Sequence, residues 1–239
     1  MTPSPVTPGL LRGPAIIAVG VVLMVLLVQA APPLAHDISQ ADRAAVQQIE
    51  RPAPFAFLYL GAKHMVTGID HILFLIGVIF FLHRLRDVVI YVSMFTIGHS
   101  ATLLGGVLLD TGANAYIVDA IIGFSVVYKA LENLGGLRKI GLAINTKAAV
   151  LVFGLFHGLG LATKVRELGL SDDGLVVNLV SFNLGVEVGQ VLVLTLLVTL
   201  FNVWRSTRSF ASGAFYANLA LMAGGLVLIG HQLTGYFAS

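Results

Sequence analysis

The sequence predicts an all-α, polytopic membrane bundle of six transmembrane helices after an N-terminal signal peptide. Three observations lead there. Of 239 residues, 57% are hydrophobic and 11% charged, whereas a soluble domain carries about 25% charged residues. Mean hydropathy is +0.91. Apolar runs of near-spanning length recur along the chain, and none alternates with the period of two that a half-buried strand requires.

Composition removes several chemistries. There is no cysteine, which excludes disulfides, thiolate metal sites and cysteine nucleophiles. All eight prolines lie at or before Pro54, so no later span has a proline kink, and the 26 glycines must supply close packing or local unwinding. The net charge of +2 says little about nucleic acid. The basic residues sit in short loops, as membrane topology alone requires, so the expected surroundings are the lipid bilayer, with no nucleic acid.

In chain order, residues 1–35 read as a signal peptide. Arg12 closes a short polar region, Ala15 to Val28 is apolar, and Val28-Gln29-Ala30 offers a small-residue cleavage site. An uncleaved anchor helix is the other reading. Residues 36–54 form a short polar segment outside the membrane, and residues 55–239 form the six-helix domain. The apolar spans fall at 55–82, 88–109, 114–134, 146–164, 175–203 and 214–237. The first, at 28 residues, makes a straight helix of about 42 Å, longer than the roughly 30 Å of hydrocarbon. It is therefore strongly tilted or broken near Gly68. Thr67-Gly68-Ile69-Asp70 suits a break, with Asp70 capping a second half-helix.

The loops give the orientation. With 36–54 outside, His83-Arg-Leu-Arg86, the loop with Arg138 and Lys139, and Arg205 to Arg208 fall inside. Asp110-Thr-Gly-Ala113, the loop from Val165 to Gly174 and the C-terminus fall outside. Only Lys164 and Arg166 break the positive-inside rule.

Ionisable groups lie within the spans, where they are costly and mark function by default. The first span contains Gly61-Ala-Lys-His64-Met-Val-Thr-Gly-Ile-Asp70-His71. His64 and His71 are seven apart, so on one helix they differ by about 20°. Asp70 could ligate or orient a ring. His99 on the second span, His157 on the fourth and Glu187 on the fifth thread to similar depth. Asn183, Glu187 and Gln190 share one helix face. Imidazole and carboxylate without thiolate suit Ni²⁺, Co²⁺, Zn²⁺ or Mn²⁺, so His64, Asp70, His71, His99, His157 and Glu187 are the candidate metal ligands. Gly154 and Gly158 flank His157, and Gly185 and Gly189 flank Glu187, as small-xxx-small pairs that allow close helix approach. The bland readings are a hydrogen-bonded packing histidine for His99 or His157 and a protonated interhelix link for Glu187. Asp119 is a seventh ligand or an ion-pair partner. Lys129 and Glu132 are an interfacial pair. Phe95-x3-His99 and Phe153-x3-His157 form a weak internal echo.

His64-x5-Asp70-His71 resembles the first signature of the HupE/UreJ family, regarded as nickel or cobalt permeases associated with hydrogenase and urease maturation. Phe156-His157-Gly158, Phe95-Thr-Ile-Gly-His99-Ser and Asn183-Leu-Gly-Val-Glu187 are similar to further hallmarks of that family. The resemblance covers most of residues 55–237. In the longer second signature a glutamate follows Phe-His-Gly at a fixed distance. Here that position is Lys164, which cannot ligate while protonated, leaving Glu187 as the acidic partner. The resemblance implies an inner-membrane permease for Ni²⁺ or Co²⁺ with no prosthetic group and no enzymatic activity. It would serve hydrogenase or urease maturation proteins indirectly and admits a homo-oligomer. Two other classes use the same residues: an intramembrane metal-dependent hydrolase with a metal-bound water, and a haem cytochrome with axial His99 and His157. Neither an HExxH motif nor a G-x-S-x-G elbow is present.

Overall fold

A computed structural model describes residues 44, 46, 47, 49, 51–167 and 173–239. The expected signal peptide, its cleavage site and most of the 36–54 segment lie outside these residues. Among the described residues every regular element is an α-helix.

Helix α1 spans Pro54–Thr67. It opens on proline, whose fixed φ and missing N–H suit a first turn. Helix α2 spans Ile69–Ile79, and the two are bent by 63° at Gly68. The long first apolar run is thus broken, at the position the sequence suggests. The capping differs. The N-cap of α2 is Gly68, without a side-chain cap, and Asp70 lies in the first turn facing His71. Asp70 stands two residues past the N-cap, a first-turn position where a carboxylate complements the positive end of the α2 dipole without capping the helix.

The other helices are α3 (Leu85–Leu108), α4 (Ala115–Asn133), α5 (Gly136–Lys139), α6 (Thr146–Arg166), α7 (Leu175–Arg205) and α8 (Ser209–Ala238). Side-chain oxygens of Asn114 and Asn145 accept from the first turns of α4 and α6, satisfying orphan N–H groups. Helices α3, α6, α7 and α8 are long and apolar enough to cross a membrane, and the bent α1–α2 pair makes a fifth if its two halves form one span. Helix α4 occupies the expected third span but carries Asp119, Lys129 and Glu132 in 19 residues. By length and composition the described residues give four or five crossings, where the sequence reading counts six. Helix α4 holds its charges inside the bundle. Asp119 and Lys129 are buried, and both are ion-paired.

Three helix pairs dominate the packing: α3 with α6, α1 with α7, and α4 with α8. Glycines set the separations. A Cβ on Gly61 would lie 1.9 Å from the Phe182 carbonyl oxygen, and one on Gly185 would lie 2.0 Å from that of Leu58. Helices α1 and α7 therefore touch backbone to backbone.

At the other end of α2, Arg205 reaches back from α7. Its Nη2 donates to the carbonyls of Ile79 at 2.6 Å and Phe80 at 2.9 Å, meeting acceptors that a helix C-terminus leaves open. Hydrogen bonds to a charged group are worth about 1.5–3 kcal/mol. Arg205→Met should therefore lower the melting temperature of the detergent-solubilised protein by several degrees, and an unchanged melt would show that these contacts carry no weight.

Candidate metal centre

The break at Gly68 turns the chain so that His64, in the last turn of α1, and His71, in the first turn of α2, face one another. Their ring centroids lie 5.0 Å apart. His71 is the hub. His157 on α6 is 5.1 Å from it, and His99 on α3 is 6.0 Å away, centroid to centroid. The four histidines and Asp70 are all buried. The structure thus brings together five of the six sequence-predicted residues, from both halves of the broken run and from α3 and α6.

One hydrogen bond fixes a tautomer, and an ion-pair contact orients a second ring. His157 Nδ1–H donates to the Phe153 carbonyl at 2.8 Å. A carbonyl only accepts, so the lone pair of neutral His157 falls on Nε2. His71 Nδ1 lies 3.2 Å from Asp70 Oδ1. With an ionised carboxylate there as acceptor, a neutral His71 ring would carry its lone pair on Nε2. A carboxylate behind an imidazole orients the ring, the usual arrangement behind a metal-ligating histidine. His99 differs. Among the described residues neither of its buried ring nitrogens has a hydrogen-bond partner, and such groups are costly unless something else satisfies them.

The rings are close without being closed on an ion. Among the described residues no group of three or more such donors already stands at metal-holding distance. A bound metal lies about 2.0–2.1 Å from each imidazole nitrogen, so coordination here would require the rings to draw inward.

Glu187 falls elsewhere. It lines a groove of about 770 Å³ between α3 and α7, with Thr96, Gln190 and mainly apolar residues. Helical geometry gives the reason. Gly185 and Gly189 are the residues of α7 that touch α1, through Leu58 and Ala62. Glu187 is two residues from each, about 200° around the axis, and so turns away from α1. Its companions join α3 instead: Thr96 Oγ1 donates to Gln190 Oε1 at 2.9 Å, and Ser100 and Asn183 exchange hydrogen bonds.

Two features escape the sequence reading. One is an aromatic collar. Phe95 stacks on His99 at 5.9 Å and meets His157 edge-on at 4.9 Å, while Phe74 lies 5.3 Å from both Phe95 and His157. The Phe-x3-His echo is its only trace in the sequence. The other is the identity of the partner in a buried ion pair, Lys164 Nζ to Asp119 Oδ2 at 2.9 Å, since the sequence offers Asp119 as a ligand or an ion-pair partner without pointing to Lys164.

Apolar helices around a core of buried histidines define a multi-pass membrane protein. The chain belongs to the HupE/UreJ family, whose model, described as HupE / UreJ protein, matches residues 40–239. No curated protein and no solved structure matches it.

Proposed function

We propose that the protein is a secondary permease of the bacterial inner membrane for a divalent transition metal, Ni²⁺ or Co²⁺, feeding hydrogenase or urease maturation. The observation that carries this reading is the convergence of four buried histidines at a break within one apolar run. Their donor set suits these ions and contains no thiolate. Family membership supports the same role. In this reading α4 is a sixth crossing, and the positive-inside rule puts both the mature N-terminus and the C-terminus in the periplasm.

The metal is cargo and no prosthetic group is needed. His64, His71 and His157 are the primary ligands, Asp70 orients His71 and offsets charge, and His99 completes the shell as the rings draw in. Glu187 supplies negative charge along the α3–α7 seam. A dication moving inward down 100 mV gains about 4.6 kcal/mol, twice the value for a single charge, which drives uptake without ATP. A hydrolase would need a cavity admitting substrate to the rings, and their burial favours transit.

The test is radiolabelled Ni²⁺ uptake in cells lacking their own importer. His71→Ala should bring uptake to background. Asp70→Asn should cost about 10–100-fold in metal affinity, the usual consequence of losing such a partner. Undiminished uptake by both variants would remove the site.

A further inference from the structure

We propose that Lys164 is a tethered stand-in for the cargo: its ammonium holds Asp119 at the threshold of the histidine cluster and yields that carboxylate to an incoming divalent cation. This rests on the permease reading above.

Position is the first argument. Asp119 belongs to α4 and lies against α6 at Gly160, where a Cβ would be 3.4 Å from Asp119 Oδ1. Gly160 is three residues beyond His157, about 4.5 Å along the helix. Side chains lean toward the N-terminus of their helix, so the Lys164 ammonium reaches back along α6 in the direction of His157. The pair therefore sits about one turn from the cluster, on the side where α6 ends and α4 begins. In the proposed topology that is the outer side, from which cargo arrives.

Cost is the second argument. The side chains of Lys164 and Asp119 are 10% and 5% exposed. Apolar residues of similar size often stabilise such a site as well as a buried ion pair does, or better. The pair at the same end of α6 between Arg166 and Asp110 is different, since Asp110 is 85% exposed and is screened by water. Of these two pairs, the buried one is the one next to the rings.

Charge is the third. An approaching monovalent cation gains little by replacing one unit charge with another. It also competes with an ammonium held at high effective concentration by its own backbone. A dication brings twice the charge and accepts carboxylate oxygen as a ligand, so it can win the exchange. Lys164 is thus a specificity-determining residue that lets divalent cations past and holds the threshold closed to Na⁺ and K⁺.

Because the chain has no cysteine, a single Ile122→Cys reports on the threshold. Ile122 is 1% exposed, and its Cδ1 lies 3.3 Å from where a Cβ of Gly160 would be. Labelling by a membrane-impermeant thiol reagent should be slow, and Ni²⁺ should accelerate it at least about fivefold while K⁺ does not. The same cysteine in an Asp119→Asn, Lys164→Met background keeps the pair neutral, so the fold is spared an unpaired buried charge. There Ni²⁺ should leave the labelling rate unchanged. Labelling indifferent to Ni²⁺ in the first chain, or accelerated equally in both, overturns the proposal. Uptake that depends on His71 together with indifferent labelling sinks the threshold alone. Absent uptake sinks the permease reading itself.

Discussion

Gly68→Ala should nearly abolish metal uptake while leaving most of the bundle folded. Gly68 lies at φ −69°, which alanine adopts freely, so backbone conformation is not the obstacle. Space is. A Cβ there would lie 2.9 Å from the His64 carbonyl oxygen, 2.9 Å from His71 Nδ1 and 3.2 Å from Asp70 Oδ1. All three atoms belong to the candidate centre. The methyl group must either push the His71 ring off Asp70 or change the 63° bend between α1 and α2. Overpacking of this kind costs about 1–3 kcal/mol, which a large bundle survives. The ring geometry has less room, because three histidine rings share His71 as their hub. The measurements are Ni²⁺ uptake alongside the detergent melting temperature. Uptake should fall at least about tenfold with a melt lowered by only a few degrees. Wild-type uptake in a stable Gly68→Ala protein would mean that the break does not position the rings.

The same residue shows what a sequence can disclose. The first run is too long for a straight crossing, and only glycine among Thr67 to Asp70 invites a break, so the bend is legible. The histidines are legible because imidazole and carboxylate stand out in an apolar chain, and threading gives their depth. Rotation about each helix axis is not legible. Asn183, Glu187 and Gln190 do share a face, yet the direction of that face depends on which side of α7 meets α1. Gly185 and Gly189 decide it, and small-xxx-small spacing does not name its partner helix. The pairing of Asp119 with Lys164 is hidden likewise, since an ion pair across 45 residues is set by the α4–α6 contact. Whether α4 crosses is not legible from apolar length either, because its buried charges are paired inside the bundle.

Gly158→Ala should be the most damaging single methyl group in the α3–α6 interface. A Cβ there would lie 2.1 Å from the His99 carbonyl oxygen and 2.4 Å from Thr102 Oγ1. The hydroxyl can rotate away, although it would lose its 2.6 Å hydrogen bond to the Leu155 carbonyl. The backbone oxygen cannot move without α3. Because that oxygen belongs to His99 itself, separating the helices carries its ring away from His71 and His157. The cost should sit near the top of the roughly 1–3 kcal/mol range for overpacking, with uptake at background. Gly105 supplies the control, since it lies on α3 with open space where a methyl group would stand, nothing coming within 4 Å of it. Alanine is favoured over glycine in a helix interior by about 1 kcal/mol, so Gly105→Ala should match or exceed the wild-type melting temperature with full uptake. If both substitutions behaved alike, helix separation at Gly158 would not govern the centre. If only Gly158→Ala fails, the glycines beside the histidines are there to bring His99 within reach of His157, and packing and coordination at this interface are one constraint.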